Sequence, residues 1–521
     1  MAEAVRAARR GRRARIAERA APMAVEKRPV WPGLVGGQYK PLSDRECQRI
    51  HDTALDLLEH VGMAGSIPVL TETVTAAGGW MTDAGRLCYP RGLVEDVLAK
   101  TRRRFVLPGQ TPEHDMDMGG RRLYCGTGGA APYVVDMESG GYRESTLADL
   151  YDFARLVDRL DNIHFFWRTV VARDAPTPFD LDLNTAYACM MGTRKHIGVS
   201  LINGDHVAAV IDMFDTALGG PGEFRKMPFC SMSCCHVVPP LRFAAESCDA
   251  MDRAIRLGMP VLLVSAGQAG ATSPAALAGS VVQAVAEVLA GLVFCNLVDP
   301  GCRTVFATWP FVSDLRTGAM SGGSGEQALL MAACAQMAGF YDIPGSVAAG
   351  MADAKIPDAQ SGGEKGYTTV LAAQAGSCWV QECAGMQASL LGCSLESMVV
   401  DNDLLGAVQR TVRGVEVTDE TLSYEVIKEV VTGPGHYLGH DQTVQGMERD
   451  YVYPEVGDRN TPGDWEQQGS RDVRERARAK VRAILAANHP DHIAPSRDAA
   501  IRDRFNILLP EDHLRPGSGR W

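Results

Sequence analysis

Seven residues in one stretch are of types that move protons, attack carbon or hold charge: Asp353, Lys355, Asp358, Glu382, Cys383, Asp401 and Asn402. They fall at or just past the ends of three short β-type runs, 345–351, 378–383 and 397–401, each followed by a segment of helical composition. That alternation predicts βα units feeding a parallel sheet, and in barrels of such units the residues beyond the strand ends face the reaction. Glu382 and Asp353 are candidate acid–base carboxylates, with Lys355 beside them as a buried cation, an ion-pair partner of Asp353 or Asp358, or a Schiff-base amine.

Other residues suit the binding of a charged ligand. Arg316 in SDLRTG could meet a carboxylate with its planar fork. Trp167, Trp309 and Phe311 sit near strand ends, and Tyr133 lies in the Gly-rich loop CGTGGAAPY. Rings around a barrel mouth hold a quaternary ammonium at ~0.5–2 kcal/mol each, although core packing explains most aromatics. The loop lacks the strand-to-helix GxGxxG context of a dinucleotide site and reads as a flap or tight turn. Cys234, Cys235 and His236 are the one dense metal-type cluster, but alternation along a strand lets at most two share a point. With no HExxH and no CxxC, the sequence predicts no zinc.

The elements that must position these residues follow the same rhythm. Further strands are expected at 162–171, 196–203, 227–234, 260–267 and 304–311, making eight with the first three, and helical segments fall between them. The span 163–408 is close to the ~250 residues of a (β/α)8 TIM barrel. The expected organisation is an Arg-rich flexible arm over 1–30, an N-terminal α+β subdomain over 31–160, the barrel over 161–408 and a wrapping C-terminal extension over 409–521. Ser43 and Glu46 form a capping box that starts the first helix, Ser273 and Pro274 resemble the start of another, and RLCYP and RRLYCGT read as strands of the subdomain.

Composition narrows the function class. The 521 residues are 46% hydrophobic with a net charge of −11, which argues against a nucleic-acid surface and suits a cationic ligand. No apolar run is expected to reach the ~20 residues of a membrane helix and no secretory h-region is seen, so no membrane role is expected. The fourteen scattered cysteines read as buried thiols of a cytoplasmic protein, and the C-terminal segment as an oligomer contact.

From about Arg28 to Pro510 the chain resembles the trimethylamine methyltransferase family, including its non-pyrrolysine branch acting on glycine betaine and related quaternary amines. The resemblance rests on RPVWPGLVGGQYKPLS, KHIGVS, GATSPAALAGSVVQAVAEVLAGL, LVDPG, DLRTGAMSGGSGEQ, DAKIPDAQSGGEK, LESMVVDNDLLG, RGVEVTDETL and GPGHYLGH. It implies a TIM barrel and methyl transfer from an amine to the cobalt of a corrinoid (cobalamin) on a separate protein docked over the mouth. His436, His440, Asp401 and Asn402 are then the residues expected to face the corrinoid. Pyrrolysine-containing relatives place that residue in the cavity near 350–355, whereas all 521 letters here are standard. A quaternary ammonium already leaves as a neutral amine and needs no added electrophile, so the expected substrate is glycine betaine or similar. Trimethylamine as substrate, and a non-catalytic betaine-binding protein, are the alternatives.

Overall fold

The computed structural model describes residue 28, residues 30–517 and residues 520–521. The expected Arg-rich arm lies outside the described residues, apart from Arg28 and Val30.

Eight parallel strands alternate with eight helices. They are β1 (Arg122–Cys125), β2 (Phe165–Trp167), β3 (His196–Val199), β4 (Cys230–Cys234), β5 (Val261–Ser265), β6 (Thr304–Thr308), β7 (Gly345–Ala348) and β8 (Trp379–Gln381). Each is followed in turn by α1 (Leu147–Val157), α2 (Pro178–Gly192), α3 (Gly204–Leu218), α4 (Ala245–Leu257), α5 (Leu277–Val298), α6 (Gly325–Phe340), α7 (Ala359–Gln374) and α8 (Leu395–Arg413). The sheet runs β1-β8-β7-β6-β5-β4-β3-β2, with the two residues Leu34–Val35 added antiparallel to β1. It curls until β1 meets β2, where Gly126 bridges Phe165 and the His164 N–H donates to the Cys125 carbonyl at 2.7 Å. A TIM barrel is the result.

Two expectations change. Residues 397–401 are not a strand but lie inside α8, because the Ser394 hydroxyl accepts from the Ser397 N–H and Met398, Val399, Leu405 and Val408 bury one helical face. The missing strand is β1, expected in the subdomain ahead of the barrel. A hairpin, Tyr133–Val135 with Tyr142–Glu144, separates it from its helix and hides the βα rhythm. Helix α1 then starts on a capping box between Thr146 and Asp149. The box at Ser43 and Glu46 forms as expected, whereas α5 starts at Leu277 rather than beside Ser273 and Pro274.

Helix α5 is also long and apolar enough to cross a membrane by composition, contrary to the expectation for the sequence. In this fold 83% of its most apolar window is buried inside the protein. It packs on β5, β6 and the helix Asp44–Asp56. Residues 454–521 pack with the barrel: helix Val473–Ala487 lies on α1 and helix Pro495–Arg504 on α3. Residues 413–453 form a separate unit with Trp31, in which the Arg413 guanidinium lies 5.4 Å from the Trp31 ring and 3.0 Å from Asp450.

Aromatic rings fill the lower barrel. Trp379 lies 4.8 Å from the Phe165 ring, 5.3 Å from Trp167 and 5.9 Å from His196. Burial pushes His196 down to about 4, so it is neutral, bonding the Pro108 carbonyl and the Ser231 hydroxyl, each at 2.7 Å. Trp167 is fixed over Gly198, where any Cβ would come within 1.9 Å of its ring. Gly198→Ala is therefore expected to destabilise the fold by about 1–3 kcal/mol through overpacking. Gly363→Ala, in open space on α7, is expected to stabilise by up to about 1 kcal/mol through helix propensity. Urea midpoints of the two variants should move in opposite directions.

Candidate active site

The C-terminal end of β8 carries buried polar groups without partners. Gln381 is fully buried with neither end of its amide hydrogen-bonded. Glu382 follows, 3% exposed, with one carboxyl oxygen buried and without a partner. Burial alone raises its carboxyl from 4.5 to about 8, so most of it is protonated at neutral pH. Its backbone holds φ +66°, a left-handed conformation that costs a non-glycine residue about 1–3 kcal/mol. An unpaired carboxyl and a strained backbone on one residue mark a place shaped for something other than stability.

The Gly-rich loop after β1 packs against this carboxyl and is no free flap. A Cβ on Gly128 would lie 2.9 Å from Glu382 Cγ, and one on Gly129 would lie 2.6 Å from the Met386 sulfur. The Thr127 hydroxyl donates to the Trp167 carbonyl at 2.7 Å and accepts from its N–H at 2.8 Å, pinning the loop to β2. The glycines were visible in the sequence, but their partner across the barrel was not.

Two further groups stand past the C-terminal ends of other barrel strands. Cys235, just past β4, is exposed to solvent. Its thiol is pushed up by burial, and it is near enough to feel both Arg168, which lowers it, and Glu382, which raises it. Arg168, just past β2, is half-buried, and its guanidinium makes no ion pair or hydrogen bond among the described residues. Neither residue was expected from the sequence to bind substrate. Trp309 follows β6, 6% exposed, its indole N–H buried without a partner, and Phe311 is 8% exposed.

The remaining expected site residues are placed elsewhere. Asp353 ties the loops of the mouth together, accepting from the Ser321 hydroxyl at 2.7 Å, the Gly323 N–H at 3.2 Å and the Ser389 hydroxyl. Lys355 is exposed and donates to the Asp353 backbone carbonyl at 2.6 Å, not to a carboxylate, so it is neither a buried cation nor an ion-pair partner. Asp358 caps α7. The Arg316 fork is taken by Asp314 at 3.0 and 2.7 Å and its side chain is 88% exposed, so it is not free to clamp a substrate. Trp167 is 3% exposed in the ring cluster of the lower barrel, and the half-exposed Tyr133 ring faces Arg173 at 5.9 Å.

Of the residues expected to face a corrinoid, Asp401 and Asn402 are buried within α8. Asp401 pairs with Lys365 at 2.6 Å and accepts from the Gly385 N–H at 2.8 Å, while the Asn402 side chain accepts from the Asn162 N–H at 3.0 Å. His436 is exposed and His440 caps the helix Asp441–Arg449, both in the separate unit 413–453. Cys234, Cys235 and His236 diverge. The Cys234 thiol reaches the Ser247 carbonyl at 3.3 Å, Cys235 lines the mouth, and His236 bonds the Glu287 carbonyl at 2.9 Å. Within the segment 350–355, Gly350 has no room for any side chain, since a Cβ there would lie 2.6–2.7 Å from Thr369 and Cys383.

A family model described as trimethylamine methyltransferase (MTTB) matches residues 8–506. The trimethylamine methyltransferase of Methanosarcina thermophila is 32% identical over 88% of this chain and 94% of its own length. The glycine betaine methyltransferase of Desulfitobacterium hafniense is 27% identical over 89% of this chain and 96% of its own. Among solved structures, the monomethylamine methyltransferase of Methanosarcina barkeri aligns with a TM-score of 0.47 at 13% identity, over 87% of this chain and 96% of that one. A match over nearly the whole length, with relatives of this identity and coverage, places the chain in the trimethylamine methyltransferase family, and it is a methyltransferase.

Proposed function

We propose that the protein takes a methyl group from a quaternary amine of the glycine betaine kind and passes it to a corrinoid carried by a separate protein. The observation that carries this reading is Glu382, a buried carboxyl with no counter-ion at the mouth of the barrel. An isolated buried carboxylate is unfavourable, but a permanent cation beside it turns that penalty into attraction. A quaternary nitrogen supplies the charge without needing a proton. Trp309 and Phe311 provide faces that a methylated ammonium can approach without losing hydrogen bonds it never makes.

The chemistry asks little else of the chain. The corrinoid, when docked, supplies a strong nucleophile for the methyl carbon. The bonding pair stays with nitrogen, which leaves as a neutral tertiary amine, so charge balances and no proton moves. The chain's own task is to bind the cation, aim one methyl outward and exclude water. The exposure of Cys235 just past β4 supports a barrel end open to such an approach. Asp353, through Ser321, Gly323 and Ser389, would hold the rim in shape. The expected catalytic part for Lys355 has no geometric support.

The test mixes enzyme, glycine betaine and reduced cobalamin and follows loss of the cob(I)alamin absorbance. Transfer is expected, and binding without transfer would favour a betaine-binding protein instead. Because the ionised form of Glu382 attracts a cation, kcat/KM should rise with pH up to about 8 and level off above it. In Glu382→Gln the value should be at least ten times lower and free of that rise. A profile that falls through the same range would instead make the protonated carboxyl an acid for a tertiary amine such as trimethylamine.

Stability should move the other way. The folded carboxyl holds its proton up to about 8 while the unfolded one loses it near 4.5. Its contribution is therefore fully present below the lower value and is lost as pH rises through the higher one. Urea midpoints between pH 5 and 8 should fall less steeply for Glu382→Gln than for the parent chain.

A further inference from the structure

Beyond β8 the backbone takes a conformation its residue types resist. Ala388, Ser389 and Leu390 hold φ +50°, +50° and +74°, three successive left-handed residues, none of them glycine. A Cβ opposes that conformation, so contacts from outside the turn must hold it. The turn is the tip of a hairpin between Met386–Gln387 and Gly392–Cys393. On one side it is tied to the loop after β7. The Ala388 N–H donates to the Ala354 carbonyl at 2.8 Å and the Ser389 N–H to the Ala352 carbonyl at 2.9 Å. The Ser389 hydroxyl donates to the Asp353 carboxylate, which also accepts from Ser321 and Gly323 of the loop after β6. On the other side the turn meets the Gly-rich loop. A Cβ on Gly129 would lie 2.6 Å from the Met386 sulfur and 3.1 Å from Leu390 Cδ2, and one on the adjoining Gly128 would lie 2.9 Å from Glu382 Cγ. Every link from Asp353 to Glu382 is thus a hydrogen bond, a close packing contact or a peptide bond.

Resting on the reading of Glu382 as the anion that meets a methylated cation, we propose that Asp353 and Leu390 are positioning residues for that carboxyl. Asp353 fixes the left-handed turn, the turn sets Leu390 against the Gly-rich loop, and the loop keeps Glu382 confined. Both act through other groups and not on the substrate. Loosening the turn lets water reach the carboxyl, which lowers its affinity for a proton and frees it from the position the ligand needs. The other titratable groups along this path are few. The Cys383 thiol donates to the Gly126 carbonyl at 3.1 Å, the Cys125 thiol is raised by the Cys383 thiol and by burial, and the Cys235 thiol is pushed up from 9.0 by burial. At the far end Glu364 accepts from the Asp353 N–H at 2.7 Å, and the exposed Lys355 donates to the Asp353 backbone carbonyl at 2.6 Å.

The pH profile of kcat/KM, taken on the full chain with glycine betaine and reduced cobalamin, tests this. In the unaltered protein the rise should centre near 8. Asp353→Asn and Leu390→Ala should each move it down by about one pH unit and lower the plateau at least fivefold. Ser389→Ala, the mildest change, should shift it in the same direction, and Leu390→Met should restore the parent profile. Leu390→Ala alters no charge, so a shift in Asp353→Asn alone would overturn the contact path in favour of a direct field from the carboxylate. In the Glu382→Gln background Asp353→Asn should cost less than twofold, and an equal loss with and without Glu382 would overturn the proposal. Ser43→Ala removes a helix cap ahead of the barrel and should lower the urea midpoint while leaving the pH profile in place. A shift there would make the effect one of lost stability and overturn the positioning role. An unaltered protein whose kcat/KM does not rise with pH would overturn the reading of Glu382 itself, and this inference with it.

Discussion

The structure depends on keeping one carboxyl without a partner inside a closed barrel that pairs the charges nearby. Between α7 and α8, Lys365 and Asp401 meet at 2.6 Å and share Ser397 and Gly385 as further partners. At the end of α1, Lys195 is surrounded by backbone carbonyls, a favourable place for a cation at a helix C-terminus. Removing one member of such a set leaves the other stranded and costs about 3–5 kcal/mol. The Glu382 carboxyl, by contrast, is left without a partner by the native fold, at the C-terminal end of a barrel strand.

Such an arrangement requires a rigid surround. Below the mouth, the rings of Phe165, Trp167, His196 and Trp379 close the barrel from side to side. Gly198 and Gly126 permit this plug, since a Cβ at either would enter the ring of Trp167 or Phe165. Above it, Gly128 lets the loop after β1 lie against Glu382, and Thr127 locks that loop to Trp167. The carboxyl therefore cannot swing away to find water, and its raised affinity for a proton follows from confinement. Asp353 and Glu364 supply the equivalent order on the other rim, with Glu364 accepting from the N–H groups of Asp353 and Ala354.

Family membership and site geometry bear on different questions. The match over residues 8–506 and the identity of the relatives establish a methyltransferase. Relatives named for trimethylamine and for glycine betaine align over similar shares of the chain, so similarity alone does not choose between the two substrates. The choice rests on charge. Under the reading proposed above, an ionised Glu382 would pair with a permanent ammonium charge at any pH, whereas trimethylamine carries its charge only while protonated.

Much of this protein could be read from its letters, for local reasons. The βα rhythm from residue 162 onward, the Ser43–Glu46 box and the position of Glu382 past an apolar run all follow from periodicities that neighbours in sequence impose. What went astray depended on partners far along the chain. LESMVV looks extended until Lys365 draws Asp401 onto a helix face, and RRLYC belongs to the barrel only because its edge meets both Val380 and Phe165. Arg316 and Arg168 are alike as letters. Only folding shows that one is neutralised by an aspartate two residues away and the other half-buried past β2 without such a pair, because side-chain pairing is settled by three-dimensional distance.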